Sequence, residues 1–302
     1  MLREVLDRLK IYPEGTYFDG TLGGGGHTEG ILQRLGAHGR VIACDADPVT
    51  ITRAQQRFAN EPRLQIRHGY FYAVCQELCD ENVTLTGVLL DLGVSSRQLD
   101  SDQIGLSYRE EMPLDMRFDP GERDQSAADI INNYSPEDLA TLFRTYGEEP
   151  AAWKIAQAIG AGRIVKPIST TKELREIIEE VIPGRFLIKT LSRVFQALRI
   201  AVNNELEELE QGLGCFIDRL EVGGRLTILT YHSLEDRIVK QKFRVEEKGC
   251  ECPPRIPECV CGNVARLRMI PRKPIRPSHD EVRKNPRARS AKLRIAEKIV
   301  EK

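Results

Sequence analysis

Apolar and polar positions follow two different periods along the first hundred residues. Strand-like runs at 16–18, 40–44, 64–67 and 87–91 alternate with helical patterns at roughly 27–36, 48–59 and 71–80. Strands separated by helical stretches of this length read as βαβ units that build a parallel sheet. The run Gly87-Val88-Leu89-Leu90 is apolar on both faces, as a central parallel strand must be. The expected fold class is therefore α/β.

From about residue 102 the period changes. Ser135-Pro136-Glu137-Asp138 reads as an N-cap with proline at the first helical position, and Leu139, Leu142, Phe143 and Tyr146 follow at helical spacing. Thr170-x-x-Glu173 is a capping box ahead of the apolar stripe Leu174, Ile177, Ile178 and Val181. A third helix is expected over 193–211. No strand pattern lies between Asp100 and Asn204. Residues 102–205 thus read as an inserted all-helical domain, with 1–101 and 206–302 forming one discontinuous core. The sheet pattern resumes at 223–230, and Ser233-Leu234-Glu235-Asp236 opens another helix. The segment 249–290, rich in Cys, Pro and Arg, is expected as a long ordered loop or extension packed on the core.

Composition narrows the class. The 302 residues are 41% hydrophobic and 29% charged, the balance of a water-soluble globular chain. No apolar run approaches the roughly 20 residues of a membrane span, and the N-terminus lacks the apolar core of a signal peptide. A cytoplasmic protein without a membrane partner is expected, with its eight cysteines reduced. The net charge of −1 hides an asymmetry: residues 262–302 hold 13 Lys and Arg against 4 acids, and residues 1–261 hold 31 against 41. A basic tail on an acidic body suggests a polyanion such as nucleic acid, the alternative being a tail that pairs with that body. Nothing in the sequence sets the oligomeric state.

The stretch Asp19-Gly20-Thr21-Leu22-Gly23-Gly24-Gly25-Gly26-His27 joins the first strand to the first helix of the sheet. Consecutive glycines at such a turn let the backbone adopt positive φ and approach a ligand closely. A P-loop is excluded, because no glycine in the chain is followed by lysine. The dinucleotide fingerprint G-x-G-x-x-G fails from either start, at Thr28 or at Glu29. The methyltransferase pattern acid-x-G-x-G-x-G fits with one change, Thr21 standing at the first glycine. Asp45 ends the second strand 20 residues beyond Gly25, where an acid faces the crevice and accepts hydrogen bonds from ribose hydroxyls. Asp91 ends the fourth strand at the same edge of the sheet. The other reading of each carboxylate is a helix cap.

Long blocks of the chain resemble the bacterial RsmH (MraW) 16S rRNA methyltransferases. They are the glycine turn at 19–27, Leu-Leu-Asp-Leu-Gly-Val-Ser-Ser-Arg-Gln-Leu-Asp at 89–100 and Pro-Leu-Asp-Met-Arg-Phe-Asp at 113–119. Further blocks are Phe-Gln-Ala-Leu-Arg-Ile-Ala-Val-Asn-Asn-Glu-Leu at 195–206, Tyr-His-Ser-Leu-Glu-Asp-Arg at 231–237 and Asn-Pro-Arg-Ala-Arg-Ser-Ala-Lys-Leu-Arg at 285–294. Two places depart from the family pattern: the chain begins inside the Leu-Leu-Glu-Glu-Val-type helix, and 184–189 is less typical.

The resemblance implies a class I (Rossmann-like) methyltransferase sheet with a helical domain. It also implies S-adenosylmethionine-dependent methylation of the N4 amine of a cytidine in the decoding region of 16S rRNA. The partner would be 16S rRNA or the small ribosomal subunit. Carried over by position, cofactor contacts fall on Gly25, Gly26, His27, Asp45, Phe71 near the adenine, Asp91 and Gln98.

An exocyclic cytosine amine is a poor nucleophile, so it must be held about 3 Å from the methyl while an acceptor takes its hydrogen bond. Many amino-methyltransferases use Asp/Asn-Pro-Pro-aromatic after the fourth strand, whereas this chain has Asp91-Leu92-Gly93-Val94 there. Asp115 and His232 are the candidate catalytic groups, and Tyr108 or Tyr231 the candidates to stack on the base. Against these, Asp115 has Arg117 as a structural partner and His232 adjoins a helix cap. Arg287, Arg289 and Arg294 are the candidate contacts to rRNA phosphates. Cys250-x-Cys252 and Cys259-x-Cys261 are close enough to ligate one zinc ion. C-x-C spacing is less typical than C-x2–4-C, however, and this chemistry needs no metal, so a reduced loop and no metal are expected. Two competing functions remain: a nicotinamide oxidoreductase, disfavoured by Thr28 and Glu29, and a non-catalytic ribosome-assembly factor, which needs no glycine turn with Asp45 and Asp91.

Overall fold

The computed structural model describes residues 1–94, 98, 104–250, 252 and 260–300. The chain divides into two compact units, Met1–Gly93 with Leu206–Lys302, and Val94–Glu205.

The first unit is a seven-stranded sheet in the order β3-β2-β1-β4-β5-β7-β6. Its strands are β1 (Thr16–Asp19), β2 (Arg40–Asp45), β3 (Leu64–His68), β4 (Leu85–Asp91), β5 (Leu220–Thr230), β6 (Leu267–Met269) and β7 (Lys292–Lys298). β1 to β5 run parallel, while β7 is antiparallel to both β5 and β6. Successive side chains of a strand leave by opposite faces. Phe18, Ile42, Val88 and Leu90 therefore join one core with Phe216 and Phe243. Tyr17, Val41 and Leu89 join the other with Leu6, Ile31, Leu293 and Ile295. The helices of its N-terminal part are α1 (Leu2–Leu9), α2 (Gly26–Leu32), α3 (Pro48–Arg57) and α4 (Phe71–Asp80).

The second unit is helical: α5 (Ala127–Asn133), α6 (Pro136–Gly147), α7 (Ala152–Val165), α8 (Thr171–Val181) and α9 (Gly184–Asn203). The caps lie where the sequence puts them. Ser135 accepts the N–H of Asp138 at 3.1 Å with Pro136 behind it, and Thr170 and Glu173 form a complete capping box. Their apolar stripes meet in a core that includes Leu139, Phe143, Ile155, Leu174, Ile178 and Leu198.

Four expectations are corrected. The single helix over 193–211 is two, α9 and α10 (Glu205–Arg219), because Asn204 adopts the left-handed conformation at φ 55° and stops the first. The stretch 249–290 contains β6, α12 (His279–Lys284) and a 3-10 turn, Pro286–Ser290, besides loop. The basic tail beyond it supplies β7, a strand inside the sheet. The cysteines are not all reduced: α4 and α10 bring Cys75 and Cys215 to a Cα separation of 6.4 Å, and a disulfide joins them across 140 residues. No helix among the described residues is long and apolar enough to cross a membrane.

Candidate functional site

The glycine turn is suspended between two strands. The N–H of Gly20 donates to Leu89 O of β4 at 2.9 Å, and the N–H of Leu22 donates to Cys44 O of β2 at 2.9 Å. Asp19 lies fully buried beneath the turn, where its carboxylate accepts the Thr28 hydroxyl at 2.7 Å and the Thr21 N–H at 3.2 Å. The Thr21 hydroxyl in turn accepts the N–H of Asp91 at 2.7 Å. That bond is the reason a threonine serves where the methyltransferase pattern has a glycine.

The glycines differ in what they do. Gly25 has φ +77°, and a Cβ there would lie 2.7 Å from the Phe58 ring, so conformation and packing both demand glycine. A Cβ on Gly24 or Gly26 would meet nothing within 4 Å. This open space beside a rigid backbone turn fits a ligand that lies directly on the chain.

Three carboxylates line the ends of β1, β2 and β4. Asp45 accepts the N–H of Gly23 at 2.8 Å and that of Asp47 at 3.0 Å, and burial pushes its pKa up to about 6. Asp47, and not Asp45, caps α3 through the N–H of Val49 at 2.8 Å. Asp91 accepts the Tyr231 hydroxyl at 2.8 Å and lies 3.5 Å from His27 Nδ1, in the first turn of α2. Burial raises the pKa of Asp91 and of Asp19 above the usual carboxylate range. These acids lack a lysine or arginine partner among the hydrogen bonds that define the turn. Phe71 opens α4 beside the turn: its Cβ would stand 3.0 Å from a Cβ on Gly20, and its ring packs on Gly212 and, at 6.3 Å, on Phe216.

The first unit thus gathers Gly25, Gly26, His27, Asp45, Phe71 and Asp91 at one edge of its sheet. Gln98 is buried and falls in the second unit. Asp115, also in the second unit, is held by the Arg117 guanidinium through both oxygens at 2.7 and 2.8 Å and accepts the Arg117 N–H at 3.1 Å. That pairing keeps its carboxyl below the ordinary range. Tyr108 in the same unit bonds Ser192 at 3.0 Å and meets Phe195 edge-on. His232 is itself the N-cap of α11 (Ser233–Lys248), its Nδ1 accepting the N–H of Glu235 at 3.4 Å. Its buried Nε2 lies 3.0 Å from Glu235 Oε1 without the alignment of a hydrogen bond.

Arg287 and Arg289 are exposed on the 3-10 turn. Arg294 is not available to a phosphate. It is 7% exposed in β7, and its Nε donates to Asp236 at 2.7 Å. A charge so paired inside the sheet cannot leave it without stranding Asp236. Sequence reasoning missed the Asp19–Thr28 lock and the Tyr231–Asp91 bond. The first had a signal in the paired Asp and Thr flanking the glycines, and the second had none, lying 140 residues apart.

The MraW methylase family model matches residues 1–299 of the chain. Ribosomal RNA small subunit methyltransferase H of Dehalococcoides mccartyi is 47% identical over 304 residues, covering 100% of this chain and 86% of that protein. The proteins of the same name from Trichlorobacter lovleyi and Thermomicrobium roseum are 46% and 48% identical, each over 99% of this chain and over 97% and 92% of their own lengths. The sheet is the Rossmann-like sheet of class I methyltransferases, and S-adenosylmethionine is the methyl donor. With the match running over nearly its whole length, this chain belongs to the MraW methylase family.

Proposed function

We propose that this chain transfers the methyl group of S-adenosylmethionine to the N4 amine of a cytidine in the decoding region of 16S rRNA, free or in the small subunit. The observation that carries the reading is the open cradle over Gly24 and Gly26, flanked by the uncompensated carboxylate of Asp45. The names of the full-length relatives support rRNA as the substrate class.

The donor supplies an electrophilic methyl on a sulfonium centre. Asp45 takes the ribose hydroxyls, the backbone at Gly25, Gly26 and His27 supports the amino-acid end, and Phe71 flanks the adenine. Asp91, fixed by Tyr231 and Thr21, completes the set in the first unit. The amine attacks the methyl carbon in line with the departing sulfur, a C–N bond forms, and the amine's extra proton passes to an acceptor. Asp115 is the poorer candidate, both its oxygens being taken by Arg117; His232 serves only in the Nδ1–H tautomer, which gives up the 3.4 Å cap bond from Glu235 and leaves the lone pair on Nε2. The helical unit, with Arg287 and Arg289 of the core, contacts the RNA.

Mass spectrometry of 16S rRNA fragments before and after incubation with protein and donor tests the reading. One methyl on a cytosine base is expected. No incorporation, or a methyl on ribose or carbon, contradicts it. In the same assay His232→Ala should abolish turnover with donor affinity intact; normal turnover removes His232 from the mechanism.

A further inference from the structure

Between α11 and β6 the chain makes an excursion that the methyl-transfer chemistry does not use. Its base is clamped. The N–H of Gly249 donates to Val245 O at 2.9 Å, and the N–H of Arg266 donates to Glu246 O at 2.9 Å. The Arg266 guanidinium holds both oxygens of Glu246 at 2.7 Å and an oxygen of Asp218 at 2.5 Å. Gly249, at φ +70°, passes so close to Val264 and Ala265 that a Cβ would lie 2.3 Å from Ala265 N. Beyond this base apolar packing does not hold the described part of the loop: Val260 is 77% exposed and Val264 55%.

The loop instead brings sulfur together. The Sγ atoms of Cys250, Cys252 and Cys261 all lie within 4.8 Å of one another. Cys250 and Cys261 are 4.0 Å apart, and the backbone N–H of Val260 donates to Cys252 Sγ at 3.4 Å. Thiolates at about 2.3 Å around a tetrahedral zinc stand about 3.8 Å from each other, so this separation is close to what the metal imposes. Cys259 lies outside the described residues.

We propose that Cys250, Cys252 and Cys261 bind one zinc ion as thiolates, and that the ion takes the place of a hydrophobic core in holding the loop between α11 and β6. This departs from the metal-free reduced loop expected from sequence. Soft sulfur donors in a compact set select zinc over the hard cations that carboxylates prefer. Binding releases the thiol protons to solvent and involves no redox change. The ion is structural, and the methyl-transfer site does not depend on it.

The full chain, purified in reductant without chelator or metal-affinity resin, tests this by elemental analysis. About one zinc per chain is expected, with Cys250→Ser and Cys261→Ser each lowering zinc affinity by at least about tenfold against a competing chelator. Cys79→Ser, outside the loop, should keep the metal. Replacement by cobalt should give intense thiolate-to-metal charge-transfer absorption in the unmutated protein, a readout that stands even where a serine variant fails to fold. Chelation should open the chain at Gly249–Cys250 and at 260–265 to limited proteolysis while S-adenosylmethionine affinity stays unchanged. Absence of zinc with no uptake from a zinc buffer, iron in its place, zinc indifferent to Cys250 and Cys261, or cobalt without charge transfer would each overturn the proposal.

Discussion

The glycine turn and the basic C-terminal strand both concentrate charge, yet their charges are treated in opposite ways. At the turn Asp19 is buried and Asp45 and Asp91 are half-buried against backbone N–H groups and hydroxyls, with His27 beside Asp91, and desolvation lifts the pKa of all three. Along β6 and β7 burial also works against Asp236, Glu246 and Glu297. There the guanidinium and ammonium groups of Arg294, Lys292, Arg266, Lys242, Arg268 and Arg225 outweigh it and hold the carboxyls down. The first set carries a desolvation cost that a hydrogen-bonding ligand would offset. The second has been offset within the fold. Carboxylates that no lysine or arginine among the described residues offsets mark the candidate ligand site, whereas a count of charges along the sequence marks only where charge occurs.

Removing a compensated charge should therefore cost stability. Arg294→Ala strands Asp236 beside Lys292 and should lower the unfolding free energy by about 3 kcal/mol in urea titrations, with S-adenosylmethionine affinity unchanged. A variant as stable as the parent would place Arg294 with the surface charges after all.

At the turn the opposite holds. Gly26→Val puts its side chain into the cradle, where a Cβ meets no protein atom within 4 Å, so it should weaken donor binding about 100-fold, near 2.7 kcal/mol, with little loss of stability. Gly25→Ala should lose stability as well, because its Cβ strikes Phe58. Equal stability losses in the two variants would mean that the open space is only packing tolerance.

A smaller effect lies in pH. Asp45 has a folded-state pKa of about 6 against an ordinary 3.8, so its contribution to folding is complete below the lower value and fades as pH rises through the upper one. Under the proposed ribose contact donor binding has the reverse sign, since the ribose hydroxyls would donate to the carboxylate. Calorimetry should show affinity falling as pH drops through 6, by about tenfold at pH 5. Asp45→Asn should bind weakly and without that slope.

The smallest effect separates the exposed arginines from the buried one. Replacing Arg287 and Arg289 together by alanine should reduce the salt-dependence slope of RNA affinity by about two and leave stability alone. An unchanged slope would remove both from the RNA interface.

Parts of this contrast are legible in the sequence. The apolar run of β4 and the glycines after β1 declare themselves because no side chain disguises them, and Asp45 follows from its place at a strand end. β7 is hidden. Its Leu293 and Ile295 alternate as a strand requires, but Lys292, Arg294, Glu297 and Lys298 make the same stretch read as a polyanion-binding tail. Only tertiary partners reveal the difference: Asp236, and the carbonyls of Asp218 and Leu220 that Lys298 caps. The break at Asn204 and the Cys75–Cys215 disulfide likewise depend on a single left-handed residue and on a pairing across 140 residues. At the site, Thr21 looked like an imperfect glycine match until its bond to Asp91 appeared.

The most direct measurement is calorimetric titration of the unmutated chain, Gly26→Val and Arg294→Ala with S-adenosylmethionine at pH 7.5 and 5, beside their urea denaturation curves. Binding lost in Gly26→Val alone, stability lost in Arg294→Ala alone, and weaker binding at the lower pH are expected. Undiminished binding in Gly26→Val would contradict the assignment of the open turn as the methyl-donor site.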